Sequence, residues 1–170
     1  MDWQEITGRF KTICKDPYAT SLEWKKKNQK KVIGWFMYDT PEEIIHASGS
    51  LPLAVLGSGK HLIRCEAYAQ SFICSLVRSS LEDGLDGTLD WIDGIVFPHV
   101  CDSAQNLAGV WAKNCPTPHV DSLFWPKSLN SPSAREYAIE EVKRFKKGLE
   151  TFLKKEISDE ALRSRIKLYN

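Results

Sequence analysis

Residues 94–111 read GIVFPHVCDSAQNLAGVW. An apolar run closes on Pro98, and after His99 and Val100 a single cysteine, Cys101, meets Asp102-Ser103. Beyond it Leu107, Val110 and Trp111 recur at the three- and four-residue spacing of a helix. A continuous apolar strand, a brief loop and a capped amphipathic helix form the unit from which parallel α/β sheets are built. The strand is buried on both faces, whereas the crossover helix buries only one stripe. Cys101 falls where that helix begins and fits two roles there. It can be a small buried hydrophobe, or a thiolate favoured by unpaired N–H groups and the positive end of the helix dipole. Asp102, a natural cap, pulls against the second role.

The same alternation extends in both directions. Upstream, KVIGWFMYD (31–39) reads as a buried strand closed by Asp-Thr-Pro. Thr40-Pro41-Glu42-Glu43 then supplies a capping residue, a proline at the first helical position and acids in the first turn. That helix carries Ile44, Ile45 and Ala47 and stops at Gly49; a second apolar run, LPLAVLG (51–57), ends in the turn Gly57-Ser58-Gly59. Residues 66–82 predict a longer helix with Ala69, Phe72, Ile73, Leu76 and Val77 on one face, closed by EDGLDG. The third strand runs from Ile92 to Val100, and HVDSLFWP (119–126) is the last. Helices are expected over 2–14, where Trp3, Ile6, Phe10 and Ile13 keep helical spacing, and over 18–29. A final helical stretch from Ser133 breaks near Glu156-Ile157 and restarts on the cap Ser158-Asp159-Glu160.

These elements predict one α/β domain over 1–170, a Rossmann/flavodoxin-like three-layer arrangement with a mostly parallel sheet flanked by N- and C-terminal helices. Residues 1–30 form a helical lead-in, 31–128 the sheet core and 132–170 a helical tail. The chain ends inside an amphipathic helix with no C-cap, the expectation for the first half of a longer protein.

A length of 170 residues allows one domain with a real core. Hydrophobic residues at 42% and charged residues at 26% are globular values that exclude disorder, and no apolar run is long enough for a bilayer. The N-terminus lacks a signal-peptide pattern, which predicts a cytoplasmic protein. A net charge of +1 excludes a nucleic-acid binder built on bulk electrostatics. The basic run KKKNQKK (25–31) reads as a solvated lead-in to the first strand. The five cysteines are odd in number and widely spaced, which excludes a disulfide framework, and no CxxC occurs. Any metal site must therefore be assembled from separate elements.

In such folds ligands gather at the carboxyl ends of the strands. Three segments reach that edge: DTPEEIIHASG, GSGKH and FPHVCDS. Cys74, in FICSLVRSS, has Arg78 one turn later; the pair suits a stabilised thiolate or an anionic ligand, or else a core cysteine with a surface arginine. Cys14, Cys65 and Cys115 read as structural. Gly57-Ser58-Gly59-Lys60 departs from the GxxxxGK[ST] phosphate loop and reads as a turn. Glu42 and Glu43 suit the helix dipole, or acid–base work if a pocket buries them. His46 and His99 can ligate, shuttle protons or hydrogen-bond in the core.

Four segments, TPEEIIHASGSLPLAV, QSFICSLVRSSLEDGLDG, DWIDGIVFPHVCDSAQNLAGVW and ISDEALRSRIKLYN, resemble in order and spacing the 2-hydroxyacyl-CoA dehydratase and benzoyl-CoA reductase subunits. The resemblance covers essentially the whole chain. It implies a subunit of an oxygen-sensitive enzyme of anaerobic metabolism with two Rossmann-like domains and a [4Fe-4S] cluster held by three cysteines. It also implies an ATP-dependent activator iron–sulfur protein that delivers one electron. In the dehydratases that electron makes a ketyl radical anion of the acyl-CoA, and water is eliminated from a 2-hydroxyacyl-CoA; in the reductases it enters an aromatic ring. By the same resemblance Cys74 and Cys101 are cluster ligands, with Arg78 near the cluster. The third cysteine belongs to a second α/β domain absent from this chain. Glu43 is the implied handler of the substrate proton, and His99 a hydrogen-bond donor behind Cys101. The implied partners are a homologous second subunit in a heterodimer, the activator and the acyl-CoA, with no nucleic acid and no membrane. A benzoyl-CoA reductase-type subunit and a non-catalytic partner subunit are the alternatives within the resemblance, and a plain flavodoxin-like binding module the alternative outside it.

Overall fold

In the computed structural model, which describes residues 2–170, two helices, α1 (Trp3–Lys15) and α2 (Pro17–Asn28), lead into a parallel sheet. The elements follow as β1 (Val32–Phe36), α3 (Glu42–Ala47), β2 (Leu51–Val55), α4 (Ser75–Leu85), β3 (Gly94–Pro98), α5 (Asp102–Asn114) and β4 (Val120–Leu123). Two helices, α6 (Ala134–Leu153) and α7 (Asp159–Tyr169), close the chain. All strand pairs are parallel, in the order β2-β1-β3-β4. The inner strands β1 and β3, VIGWF and GIVFP, are buried almost throughout, as continuous apolar runs require.

The pleat divides each strand between two cores. Val32, Phe36, Ile95 and Phe97 face α4 and α5, with Tyr18 and Trp24 of α2 packed on the same side. Phe97 sits between Phe36 and Trp111, with ring centroids 5.8 and 5.6 Å apart. On the other face Ile33 and Val96 meet Ile44 and Ile45 of α3 and Phe145 and Leu149 of α6, and α7 closes over α3. The result is an α/β three-layer fold. Gly84 lets α4 and α5 approach, since a Cβ there would lie 2.6 Å from the Trp111 ring and 2.9 Å from the Cys115 sulfur.

The basic run is largely exposed, as expected of a solvated lead-in, but two of its lysines also make a specific contact. Lys25 and Lys31 grip Asp93 at 2.7 and 2.8 Å, and Asp93 also accepts the Val32 N–H at 2.9 Å. Burial opposes the Asp93 charge, but Lys25, Lys31 and the Val32 N–H outweigh it and hold the carboxyl below the usual aspartate range. Lys31 and the Val32 N–H thus tie the start of β1 to the start of β3, at the amino edge of the sheet, and Lys25 fastens α2 to the same point.

The helix expected over 66–82 begins only at Ser75. Residues 56–74 form an irregular strap with a single 3₁₀ turn at Cys65–Ala67, and Phe72, assigned by spacing to a buried face, is 85% exposed. The reason lies in α4 itself. Glu82, 3% exposed, accepts the N–H groups of Ile63, Arg64 and Cys65 at 3.0, 3.2 and 2.9 Å and pulls the strap back along the helix. Asp83 takes the Ser58 N–H and hydroxyl, and the Ser79 hydroxyl accepts the Gly59 N–H. Lys60 is spent on Asp86 and Thr88, so the GSGK segment is a tethered turn. At α3 the expected threonine cap is also absent: Pro41 occupies the capping position and the Thr40 hydroxyl, buried, makes no cap bond.

Candidate cysteine site at the carboxyl edge of the sheet

Strand order reverses direction between β1 and β3, and the crevice at their carboxyl ends is where ligands bind in this architecture. Three helices, α3, α4 and α5, begin at that edge. Two of them open on a cysteine. Cys74 is the N-cap of α4 and Cys101 the N-cap of α5, both in extended backbone just before helical geometry starts. The Cys101 sulfur accepts the Ala104 N–H at 3.4 Å, using one of the orphan donors of the first turn. Cys101 is half-buried and Cys74 exposed, and both are free thiols.

The other cysteines have different surroundings. Burial, and after it Glu82, pushes the Cys65 thiol up, and burial with the Asp90 charge pushes Cys115 up to about 12. Both are buried core groups. Cys14 lies exposed on α1.

The remaining sequence candidates separate. Arg78 turns toward the strap, pairing with Glu66 at 2.7 Å and donating to the Ser71 carbonyl, and its electrostatic influence falls on Cys65. The His99 N–H donates to the Leu123 carbonyl at 2.6 Å, its carbonyl accepts from Lys127, and its ring stands edge-on to Phe124 at 5.6 Å. Glu43 is half-buried in the first turn of α3. The loop before it contains Met37 and Asp39 in the left-handed region, at φ 65° and 61°. Trp125 Nε1 holds the Asp39 carbonyl at 2.8 Å, so the loop after β4 braces the strained loop after β1.

The profile of the family described as 2-hydroxyglutaryl-CoA dehydratase, D-component, matches residues 37–170. The chain belongs to this family. It is 35% identical to a benzoyl-CoA reductase subunit of Thauera aromatica, an alignment covering 100% of this chain and 45% of that protein. It is 34% identical to the beta subunit of (R)-2-hydroxyglutaryl-CoA dehydratase of Acidaminococcus fermentans, over 97% of this chain and 44% of that one. The beta subunit of lactoyl-CoA dehydratase of Anaerotignum propionicum is 27% identical, over 98% and 44%. The chain thus spans about half the length of these dehydratase and reductase subunits.

The family match begins at Met37, the first residue after β1, and so takes in both cysteine-capped helices and α3. Sequence reasoning points to Glu43 in α3, but the neighbouring Glu42 is the carboxyl that is pushed up, by burial and then by the Glu43 charge. Tyr169 of α7 stands beside both acids; burial first, then Glu42 and Glu43, raises its phenol, and its ring lies 5.8 Å from His46. The terminal Tyr-Asn of this dehydratase-family chain was legible as a motif, but its place beside the acids of α3 depends on how α7 docks. No helix among the described residues is long and apolar enough to cross a membrane.

Proposed function

We propose that this chain is part of a 2-hydroxyacyl-CoA dehydratase subunit, in which Cys74 and Cys101 supply two thiolate ligands to a [4Fe-4S] cluster. The observation that carries the reading is the pair of free cysteines capping two neighbouring helices at the sheet's carboxyl edge. A capping thiolate is stabilised by the N–H groups and dipole it faces, and thiolates are the donors such clusters use. Among the described residues no three His, Cys, Asp or Glu side chains converge as a metal site, so the reading requires further ligands beside Cys74 and Cys101. When bound, the cluster supplies reversible one-electron chemistry, with the electron delivered by an ATP-dependent activator. The chain's own residues shape the surroundings. Glu43, beside Glu42 and Tyr169, is the candidate for moving the substrate proton, His99 braces the strand end behind Cys101, and Arg78 secures the strap that brings in Cys74.

Anaerobic purification is expected to give an iron-bearing brown protein, and Cys74→Ser and Cys101→Ser each to remove most of the iron. Iron content unchanged in both variants overturns the reading. Glu43→Gln in the assembled enzyme is expected to abolish turnover with iron content intact; unchanged turnover removes Glu43 from the proposal.

A second reading has its own observation. The relatives named above are themselves subunits, so a partner subunit that supports an active homologue is the alternative role. Iron retained only when the homologous subunit is present, with acyl-CoA bound by that subunit alone, selects this reading.

A further inference from the structure

The segment that follows β4, Phe124-Trp125-Pro126-Lys127, bonds to the loops leading to Glu43 and to Cys101. Toward β1, the Trp125 Nε1–H donates to the Asp39 carbonyl at 2.8 Å, in the loop that enters α3. Toward β3, the Lys127 ammonium donates to the His99 carbonyl at 3.1 Å, and the Phe124 ring meets the His99 ring edge-on, two residues before Cys101. β4 is not a neighbour of β1, because β3 lies between them. Adjacent strands are about 4.8 Å apart, so the indole crosses the end of β3, a span of roughly 10 Å, to hold the far loop.

The segment is stiff where it needs to be. Leu123, fully buried, closes the strand, and the Phe124 N–H donates to Glu141 of α6, a residue only 8% exposed. Pro126 locks its own φ and disfavours helical backbone at Trp125. The loop that the indole holds is strained by comparison. Met37 and Asp39 are left-handed without being glycines, a conformation that persists only when its surroundings impose it. The α3 helix starts three residues after Asp39 and is pinned through Ile44 and Ile45. A shift at Asp39 therefore reaches Glu43 before those anchors absorb it.

We propose that residues 124–127 form a crossbar that sets the spacing between the acid-bearing loop after β1 and the cysteine-bearing loop after β3. Trp125 and Lys127 are then positioning residues. The inference rests on the placing of Glu43 and Cys101 in one site and deepens it: proton handling and cluster ligation are kept in register by a third loop that carries neither. A misplacement of about 1 Å between reacting groups costs up to roughly a hundredfold in rate, which is what such a brace prevents.

The test uses two replacements at the surface. Trp125→Phe removes the N–H and keeps a ring; Lys127→Met removes the ammonium and keeps the stem. Amide hydrogen exchange of the anaerobically purified protein, read by mass spectrometry, is expected to speed up about tenfold at both 37–43 and 99–104 in each variant, the size set by one lost hydrogen bond. The strap at 56–74, held by Glu82 and Asp83, is the internal control and stays unchanged. Each replacement loosening only the loop it touches, neither loop loosening, or the strap loosening equally overturns the crossbar. Turnover is then followed in the assembled, iron-loaded enzyme with (R)-2-hydroxyglutaryl-CoA, lactoyl-CoA and benzoyl-CoA as probes. Trp125→Phe is expected to lower kcat about tenfold or more, with KM and iron content unchanged. Both loops loosened with kcat untouched overturns the positioning role, and if no probe is turned over the exchange data alone decide. Failure of the site assignment reads differently: iron is untouched by the cysteine replacements, or turnover by Glu43→Gln, while the two loops still loosen together.

Discussion

Two connections of very different length end in the same way. Residues 99–101 join β3 to α5 and deliver Cys101 to the helix cap; residues 56–74 join β2 to α4 and deliver Cys74 to the equivalent place. Cys101 is positioned by the sheet: it follows a buried strand whose end is bonded to β4 through the His99 N–H. Cys74 is positioned by side chains of the helix it caps, chiefly Glu82, Asp83 and Arg78, which reach back and hold the strap. A short link inherits its rigidity from the strand. A long one must be clamped, and the clamp is where it can be broken.

The largest expected effect follows from removing that clamp. Glu82→Ala leaves three strap N–H groups without their acceptor and is expected to cost about 3 kcal/mol or more in urea denaturation, since bonds to a buried charge are worth about 1.5 kcal/mol each and the relaxing strap recovers part of the total through water. Limited proteolysis should then cut within 56–74 while 99–101 stays resistant. Cleavage of both links, or of neither, breaks the comparison. Next is Gly84→Ala, which drives a methyl into Trp111 and Cys115 and loads both helices at once; overpacking of this kind costs about 1–3 kcal/mol, read as a lower urea midpoint.

The acid limb of stability sharpens the same contrast. Burial opposes the Glu82 charge, but the N–H groups of Cys65, Arg64 and Ile63 outweigh it, so its carboxyl is held below the ordinary glutamate value of 4.5. A folded-state pKa below the unfolded one means that the unfolded chain takes up the proton first. The stabilisation is complete above about pH 4.5 and drains as pH falls toward the folded value. Glu82→Gln is expected to flatten the stability–pH slope in that window; an unchanged slope shows that the carboxylate does not hold the strap. The smallest effect belongs to Arg78→Ala. Its partner Glu66 is 60% exposed in its side chain, so losing the pair should cost no more than about 1 kcal/mol by the same denaturation.

The contrast also explains what could be read in advance. The β3–α5 unit was legible because strand, proline, loop and cap are adjacent, and Cys101 stands at the helix start as expected. The parallel sheet was legible for the same reason, from continuous apolar runs in β1 and β3. Helical spacing carries the expected α4 backward through Ala69, Phe72 and Ile73, because the acceptor that unwinds this stretch, Glu82, lies seventeen or more residues from the N–H groups it binds. Lys25 and Lys31 depart from expectation for a similar reason: their partner Asp93 is more than sixty residues away. The acids of α3 were visible, but their company, Tyr169 from the last helix, depends on tertiary docking that no local pattern encodes.

The outer strand β4 has one further consequence. Its outward N–H groups at Ser122 and Phe124 are taken by Asp121 and Glu141, and the Ser122 carbonyl accepts from Arg144, which also binds both acids. An incoming strand would find those rungs occupied and would have to displace three charges before making its first bond. That edge of the sheet therefore has a built-in stop, and a neighbour meeting the molecule on this side must join through its helices or loop ends instead of adding a strand to β4.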